Sequence, residues 1–405
     1  MANTLTAVDD AIQRMLSAVE PLQRFEIVDL MAAAGRVLAE DQVAPCHVPP
    51  ADNSAMDGYA LRFADARAPL PISQRVAAGQ APQPLRPGTC ARIFTGAEIP
   101  LGADTVVMQE EIVLTAFDDV CVPSDIRLGQ NVRPKGQDIQ AGKCILKAGT
   151  RLDYRHLGLL ASVGIAQVLV FMPIRIALLS TGDELVQPGQ VLKTGQIYNS
   201  NRFLLQGFLQ THMAEVVRFI QVRDGFKETL AALEEAADSS DLVISTGGVS
   251  VGEEDHVKPA VEALGELSLW RLAMKPGKPL AFGRVKETPF IGLPGNPVST
   301  FVGANVFVLP VLKRLAGESA PSSPLRLTGR AQFSVTTQIR QEYVRVKATW
   351  QDGQWCLSAY PNQNSGVLSS AVWGNAMAVI PPSTQIEEGK EVSFFFYTTP
   401  NPDNN

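Results

Sequence analysis

Acidic residues follow directly on two apolar runs that end in the same three small residues. The first run reads Ile174-Arg-Ile-Ala-Leu-Leu-Ser-Thr-Gly-Asp-Glu184. The second reads Asp241-Leu-Val-Ile-Ser-Thr-Gly-Gly-Val-Ser-Val-Gly-Glu-Glu-Asp255. Apolar runs without alternation are strands buried on both faces, and in an open α/β sheet ligands sit beyond the carboxyl ends of such strands. Glycine there leaves backbone N–H groups open to a phosphate, and adjacent carboxylates suit a hard cation. Ser180, Thr181, Gly182 and Asp183 on the first turn, with Gly247, Gly248 and Ser250 on the second, are therefore candidate contacts to a phosphorylated ligand handled with Mg²⁺. Three successive strands end in acid: at Asp183 and Glu184, at Asp224, and at Asp255. A right-handed parallel arrangement sets those ends along one edge. Crowded carboxylates repel unless a cation neutralises them, so the set on three neighbouring strands points to a metal or ligand site. Each acid taken alone also suits a helix N-cap, and the glycine pair alone also suits a plain strand-to-helix turn.

Two further loops carry the charge an anion needs. Lys275-Pro-Gly-Lys-Pro279 puts two cations on a stiff turn, so less freedom is lost when they close on a ligand. Leu293-Pro-Gly-Asn-Pro-Val-Ser299 opens a long helix with Pro297 in its first turn, where free N–H groups favour an anion. Solvated lysines and simple helix initiation are the plainer uses of the same residues. In Asn53-Ser-Ala-Met-Asp-Gly-Tyr59, Asp57 lies in an otherwise apolar segment, where an unpaired charge is costly; an Asx-turn is the alternative.

The elements that hold these residues fall into a multidomain α/β plus β pattern. Residues 7–20 place Val8, Ile12, Met15, Leu16 and Val19 on one helical face with Thr6 as a cap, and a second helix is expected from Asp29 to about Leu38. Residues 46–139 read as a small β domain of short runs broken by Gly and Pro. A helix capped by Asp153 leads into a strand at 167–171. From 173 to 318 strands (174–180, 214–222, 241–246, 267–273, 279–284, 288–293) alternate with helices (201–211, 226–238, 255–264, 297–315), which predicts a mostly parallel sheet covered on both faces. After a Pro/Ser linker, 325–405 alternates apolar and polar residues around an Asp352-Gly353 turn and reads as a small β-barrel or sandwich.

Composition narrows the function. A chain of 405 residues with 45% hydrophobic and 19% charged residues holds several ordinary globular domains. A net charge of −6 argues against a broad nucleic-acid surface. Five scattered cysteines give neither a zinc site nor a disulfide frame. No apolar run approaching ~20 residues is evident, so no membrane span is expected. The first residues lack a secretory pattern, so the expected location is cytoplasmic.

Six segments, in order along nearly the whole chain, resemble the MoeA family, the molybdopterin molybdenumtransferases related to the E domain of gephyrin. They are Asp52–Ala60, Ile93–Gly96, Ser180–Glu184, Ser245–Gly252 with Asp255, Lys275–Pro279 and Leu293–Ser299. The resemblance implies a four-domain protomer: 1–45 and 140–172 form an elongated helical domain, the β domain of 46–139 is inserted into it, 173–318 is a molybdopterin-binding-type α/β domain and 325–405 a C-terminal β-barrel. It further implies a homodimer whose active site is shared, Asp57 and Thr95 of one chain facing the acids and lysines of the other. The implied reaction inserts molybdate into adenylylated molybdopterin and releases AMP. Mg²⁺ on Glu184 with Asp224 or Asp255 would screen the phosphoanhydride. Asp57, Asp138 and Asp255 would position the ligand or attacking water as catalytic residues. Thr95, Arg133, Lys275, Lys278, Pro294, Pro297, Ser299, Arg345 and Ser365 would contact substrate. Partners would be a molybdopterin adenylyltransferase and recipient molybdoenzymes. Arg271 stands where the family has lysine. Two rivals share the α/β module: an adenylyltransferase or other nucleotide-processing enzyme, and a scaffold that has lost its chemistry.

Overall fold

The computed structural model describes residues 5–223, 225–249, 256–319 and 324–398, leaving aside the side chains of residues 269 and 270. The chain divides into two compact bodies: Met1–Glu26 with Phe171–Asn405, and Ile27–Val170. Helix α1 (Val8–Ser17) opens the first body and buries Val8, Ala11, Ile12 and Met15. Its N-cap is Ala7, which makes no side-chain cap bond. Thr6 is not the cap: its backbone pairs with Arg271 and Ala273 instead.

In the second body the helix expected from Asp29 to Leu38 does not form. Phe25–Asp29 is a strand beside Gln167–Phe171, and only a 3₁₀ turn, Leu30–Ala32, follows. The reason is that the amides of this Ala-rich stretch are taken by distant carbonyls: Gly35 donates to Leu152, Leu38 to Thr150 and Ala39 to Leu169. Tertiary pairing thus overrides helix propensity. Helix α2 (Tyr154–Ser162) carries the expected Asp153 cap. The carboxylate accepts the Arg155 and His156 amides, and His156 Nδ1 accepts the Asp153 amide.

The inserted part of this body is a four-stranded sheet. Its strands β1 (Gly58–Leu61), β2 (Ile72–Val76), β3 (Cys90–Ile93) and β4 (Thr105–Met108) lie in the order β2-β3-β1-β4. Alternate residues face two separate cores. Ala60, Ala91, Ile93 and Val106 enter one; Leu61, Cys90 and Val107 enter the other. This is the period-2 consequence of the strand pleat. Burial pushes the Cys90 thiol up to about 12, as expected of a structural cysteine.

The α/β layer of the first body is built from β5 (Ile174–Thr181), α3 (Ser200–Gln210), β6 (Ala214–Val222), α4 (Phe226–Ser239), β7 (Leu242–Thr246), α5 (Val257–Leu264), β8 (Gly265–Arg271), β9 (Met274–Lys275), β10 (Pro279–Val285) and β11 (Thr288–Leu293). The sheet order is β6-β5-β7-β11-β10-β8; the first four strands are parallel and the last two pairings antiparallel. All five residues of β7 are buried. Helices α4 and α5 supply Leu233, Ala236, Ala260 and Val261 to the core on one face.

From Pro297 to Leu315 the chain is helical throughout, as α6 (Pro297–Gly303), a π turn (Ala304–Val308) and α7 (Leu309–Leu315). This run is long and apolar enough to cross a membrane, with an 18-residue window of mean hydropathy 1.4, contrary to the expectation from the sequence. It is 78% buried inside the protein and serves as a core helix.

The last part contains β12 (Leu327–Ala331), β13 (Gln341–Gln351), β14 (Gln354–Ala359), β15 (Ala376–Ile380) and β16 (Glu391–Phe396). Pairings run β13-β14-β12-β16-β15, and β15 returns to β13, so five strands close on themselves. Its interior holds Val344, Val346, Leu357, Ala378, Ile380 and Phe394. The two-residue strand β9 adds to β13 in parallel, with Lys275 opposite Glu342.

Candidate functional site

A cavity of about 460 Å³ opens in the first body. Four segments meet at it. Gly247 and Gly248 follow β7; Lys275–Pro279 links β9 to β10; Pro294, Gly295, Asn296 and Ser299 connect β11 to α6; and Arg340, Gln363, Asn364 and Ser365 come from the closed five-stranded part. The strand order explains the first and third contributions, because β7 and β11 are parallel neighbours and their ends are adjacent. Gly247 donates to the Leu293 carbonyl at 3.1 Å. Only glycine fits this turn. A Cβ on Gly248 would lie 2.4 Å from Val257 Cγ2, and φ there is +65°.

The loop between β11 and α6 is tied in from both sides. Val298 N–H donates to the Ser365 carbonyl at 3.0 Å, and Asn201 Nδ2 donates to the Gly295 carbonyl at 2.7 Å. Ser299 is 2% exposed, and Gly277 lies against it. The cationic groups are Lys275, Lys278 and Arg340. Lys275 Nζ lies 3.1 Å from both carboxylate oxygens of Glu342. Three cations, a hydroxyl-bearing serine and glycine-rich backbone converge on one space. That is the donor set a small multivalent anion requires.

Of the residues expected from the sequence, Gly247, Gly248, Lys275, Lys278, Pro294, Ser299 and Ser365 line this cavity. Pro297 starts α6 beside it. Ser180 is buried at the end of β5, its hydroxyl 3.3 Å from Thr246 Oγ1, and Thr181 packs beneath the Gly247-Gly248 turn. Neither is among the lining residues. Gly182 has φ +130° and the Glu184 carboxylate folds over it; Asp183 and Glu184 are exposed at the strand end. Asp224, Ser250 and Asp255 lie outside the described residues. Among the described residues no cluster of three His, Cys, Asp or Glu side chains is placed to hold a metal ion.

Arg345 requires a correction. It is 1% exposed and does not line the cavity. Its guanidinium donates to Ser370 Oγ and to the carbonyls of Tyr343 and Asn364. Burial draws it down to about 10. Its place on β13 turns it into the wall, where it fixes the loop that presents Asn364. Arg271 likewise lies on β8 and not at the cavity. Asn296 belongs to the Leu293–Ser299 loop named from the sequence, whereas Arg340, Gln363 and Asn364 were missed. The signal available for them was a basic residue just before β13 and the Asn-rich stretch Pro361-Asn-Gln-Asn-Ser-Gly366.

In the second body Asp57 is not an isolated charge. One carboxylate oxygen accepts the Thr95 amide at 2.7 Å and the Thr95 hydroxyl at 2.8 Å. The Thr95 amide, then its hydroxyl, then the charge of Arg92 hold this carboxyl below its usual range. Arg92 donates to the Gly58 carbonyl and to Gln109, and stacks over Tyr59 and Phe94. Gln109 in turn donates its amide to the Asp57 carbonyl. Asp57 is therefore a rigidly presented, ionised carboxylate. Arg133 is exposed on the short strand Val132–Arg133, opposite Asn53. Asp138 is exposed, with its amide bonded to the Val48 carbonyl.

Three family models match the chain: "MoeA N-terminal region (domain I and II)" over residues 6–164, "Probable molybdopterin binding domain" over 177–314 and "MoeA C-terminal region (domain IV)" over 328–397. A molybdopterin molybdenumtransferase of Haemophilus influenzae is 36% identical over 390 residues, spanning 92% of this chain and 96% of its own. One from Nostoc sp. is 37% identical over 396 residues, spanning 94% and 91%. The crystal structure of a molybdopterin biosynthesis protein of Pyrococcus horikosii superposes with a TM-score of 0.83 at 30% identity, covering 98% of this chain and 100% of that one.

Proposed function

The chain belongs to the MoeA family, and on that premise we propose that it is a molybdopterin molybdenumtransferase that inserts molybdate into adenylylated molybdopterin and releases AMP. The observation that carries this reading is the cavity at the ends of β7 and β11, where Lys275, Lys278, Arg340 and Ser299 converge. Molybdate is a tetrahedral dianion and needs several convergent donors. Lys275, Lys278 and Arg340 supply charge, and the Ser299 hydroxyl supplies a hydrogen bond.

Carboxylates at the ends of adjacent parallel strands are the ligands a hard divalent cation takes. Among the described residues, Asp183 and Glu184 are exposed at the end of β5. Glu184 with Asp224 and Asp255 would hold Mg²⁺, which when bound screens the charge of the phosphoanhydride. Ser180, Thr181, Gly182, Asp183, Gly247, Gly248 and Ser250 would cradle the phosphates. Asp57, ionised and fixed by Thr95, would orient the water that displaces AMP, with Asp138, Asp255 and Arg133 ordering the ligand around it. Both halves of this set come together in a homodimer in which Asp57 of one protomer serves the cavity of its partner. We place the reaction in the cytoplasm, which suits the five free thiols. An adenylyltransferase supplies the substrate there and molybdoenzymes receive the product.

The deciding assay mixes purified protein with adenylylated molybdopterin, molybdate and Mg²⁺ and follows AMP. Molybdate-dependent AMP release is the expected result. ATP consumption on unmodified molybdopterin would instead indicate adenylylation, and no turnover in either assay a scaffold. Asp57→Ala, Glu184→Ala and Asp255→Ala should each slow release by about a hundredfold, the usual effect of losing a positioned group. Full rates in all three would reject these roles.

A further inference from the structure

Lys275 does not reach the cavity as a free cation. Strand β9 pairs in parallel with β13 so that Lys275 stands directly opposite Glu342. The ammonium sits 3.1 Å from each carboxylate oxygen. The two ends of this pair differ: the Lys275 side chain is 50% exposed and lines the cavity, whereas the Glu342 side chain is 14% exposed and is not among the lining residues. A charge so placed is poorly screened by water and ions. Among the described residues neither Lys278 nor Arg340 forms an ion pair. Among the described residues, Lys275, Lys278 and Arg340 line the cavity, and Glu342 is the carboxylate paired with one of them.

We propose that Glu342 is a built-in counter-anion of the oxyanion cavity. It competes for Lys275 and weakens anion binding in proportion to the anion's charge, so that the oxyanion is held without being trapped. This rests on the reading of the cavity as the molybdate site. Coulomb repulsion scales with the charge of the bound anion. Removing the carboxylate therefore favours a dianion by twice the free energy it favours a monoanion of similar shape, and the fold-change in affinity is squared. A carboxylate that merely held Lys275 in position would behave in the opposite way, because its loss would loosen both anions.

The test is calorimetric titration of the full-length protein with molybdate, a dianion, and perrhenate, a tetrahedral monoanion, at one ionic strength. Glu342→Gln should bind molybdate about tenfold tighter and perrhenate about threefold tighter, both gains shrinking as salt is added. Glu342→Asp, which keeps the charge, should stay close to the parent. Glu342→Ala carries the same expectation as the glutamine variant should that one not fold. Unchanged or weaker molybdate binding in the neutral variants, or equal gains for the two anions, would overturn the proposal while leaving the cavity's role intact. Absence of molybdate binding by the parent protein would instead reject the cavity assignment itself.

Discussion

The pairing of Asp57 with Thr95 makes a residue-scale prediction with a definite sign. A carboxyl whose pKa is lowered in the folded protein stays ionised further into acid. Its contribution is present above the ordinary carboxylate value and is lost as pH falls through the lowered one. Thr95→Val removes the hydroxyl but leaves the stronger amide bond. The Asp57 pKa should then rise part of the way toward normal, and the acid limb of the rate profile should move to higher pH. Thr95→Ser restores the hydroxyl and should restore the parent profile. A Thr95→Val profile superimposable on the parent's would show that Asp57 ionisation does not govern the rate. Arg345 shows the limit of reading single residues. As a sequence it is one more arginine near a serine, and only its complete burial separates a loop anchor from a substrate contact.

At the scale of elements, Gly58 is a point where backbone geometry leaves no room. A Cβ there would lie 2.0 Å from the Val107 carbonyl oxygen across the β1–β4 pairing. Gly58→Ala must part the strands, which should cost about 2 kcal/mol or more. It should also displace Asp57 next to it. Urea unfolding should show a lower midpoint together with a reduced rate at saturating substrate. A stable variant with full activity would mean that the sheet yields locally at no cost. Most elements of the α/β layer were legible because their patterns are strong. β7 is a continuous apolar run, and the Pro297–Leu315 run opens with proline at its first position. The segment after Asp29 was not. Its alanines favour helix locally, but its amides are satisfied by residues more than a hundred positions away.

For the molecule as a whole, the proposed homodimer divides the working residues between protomers, and complementation tests that division. An Asp57→Asn chain and a Lys275→Gln chain should each be nearly inactive alone. Dissociated and reassembled together, half of the dimers are mixed, and each mixed dimer rebuilds one intact site of two. Activity should therefore recover to about a quarter of the parent's. No recovery, with mixed dimers demonstrated by mass, would place both residues in the same protomer's site. Recovery without any dimer would exclude the shared arrangement altogether.

What the residues alone determined is the chemistry on offer: acids after parallel strands, lysines on a proline-stiffened loop, a glycine turn, and one aspartate in an apolar setting. Those features are local, because strand periodicity and turn chemistry act over a few neighbouring positions. Which groups share a space was decided only by the tertiary structure. The parallel register of β9 with β13 brings Glu342 to Lys275, and the closing pairing of β13 with β15 turns Arg345 into the wall. Chain closure puts residues 340 and 363–365 beside Ser299, where no spacing in the sequence relates them. Contacts of that kind depend on the sum of packing over the whole fold, which no short segment encodes.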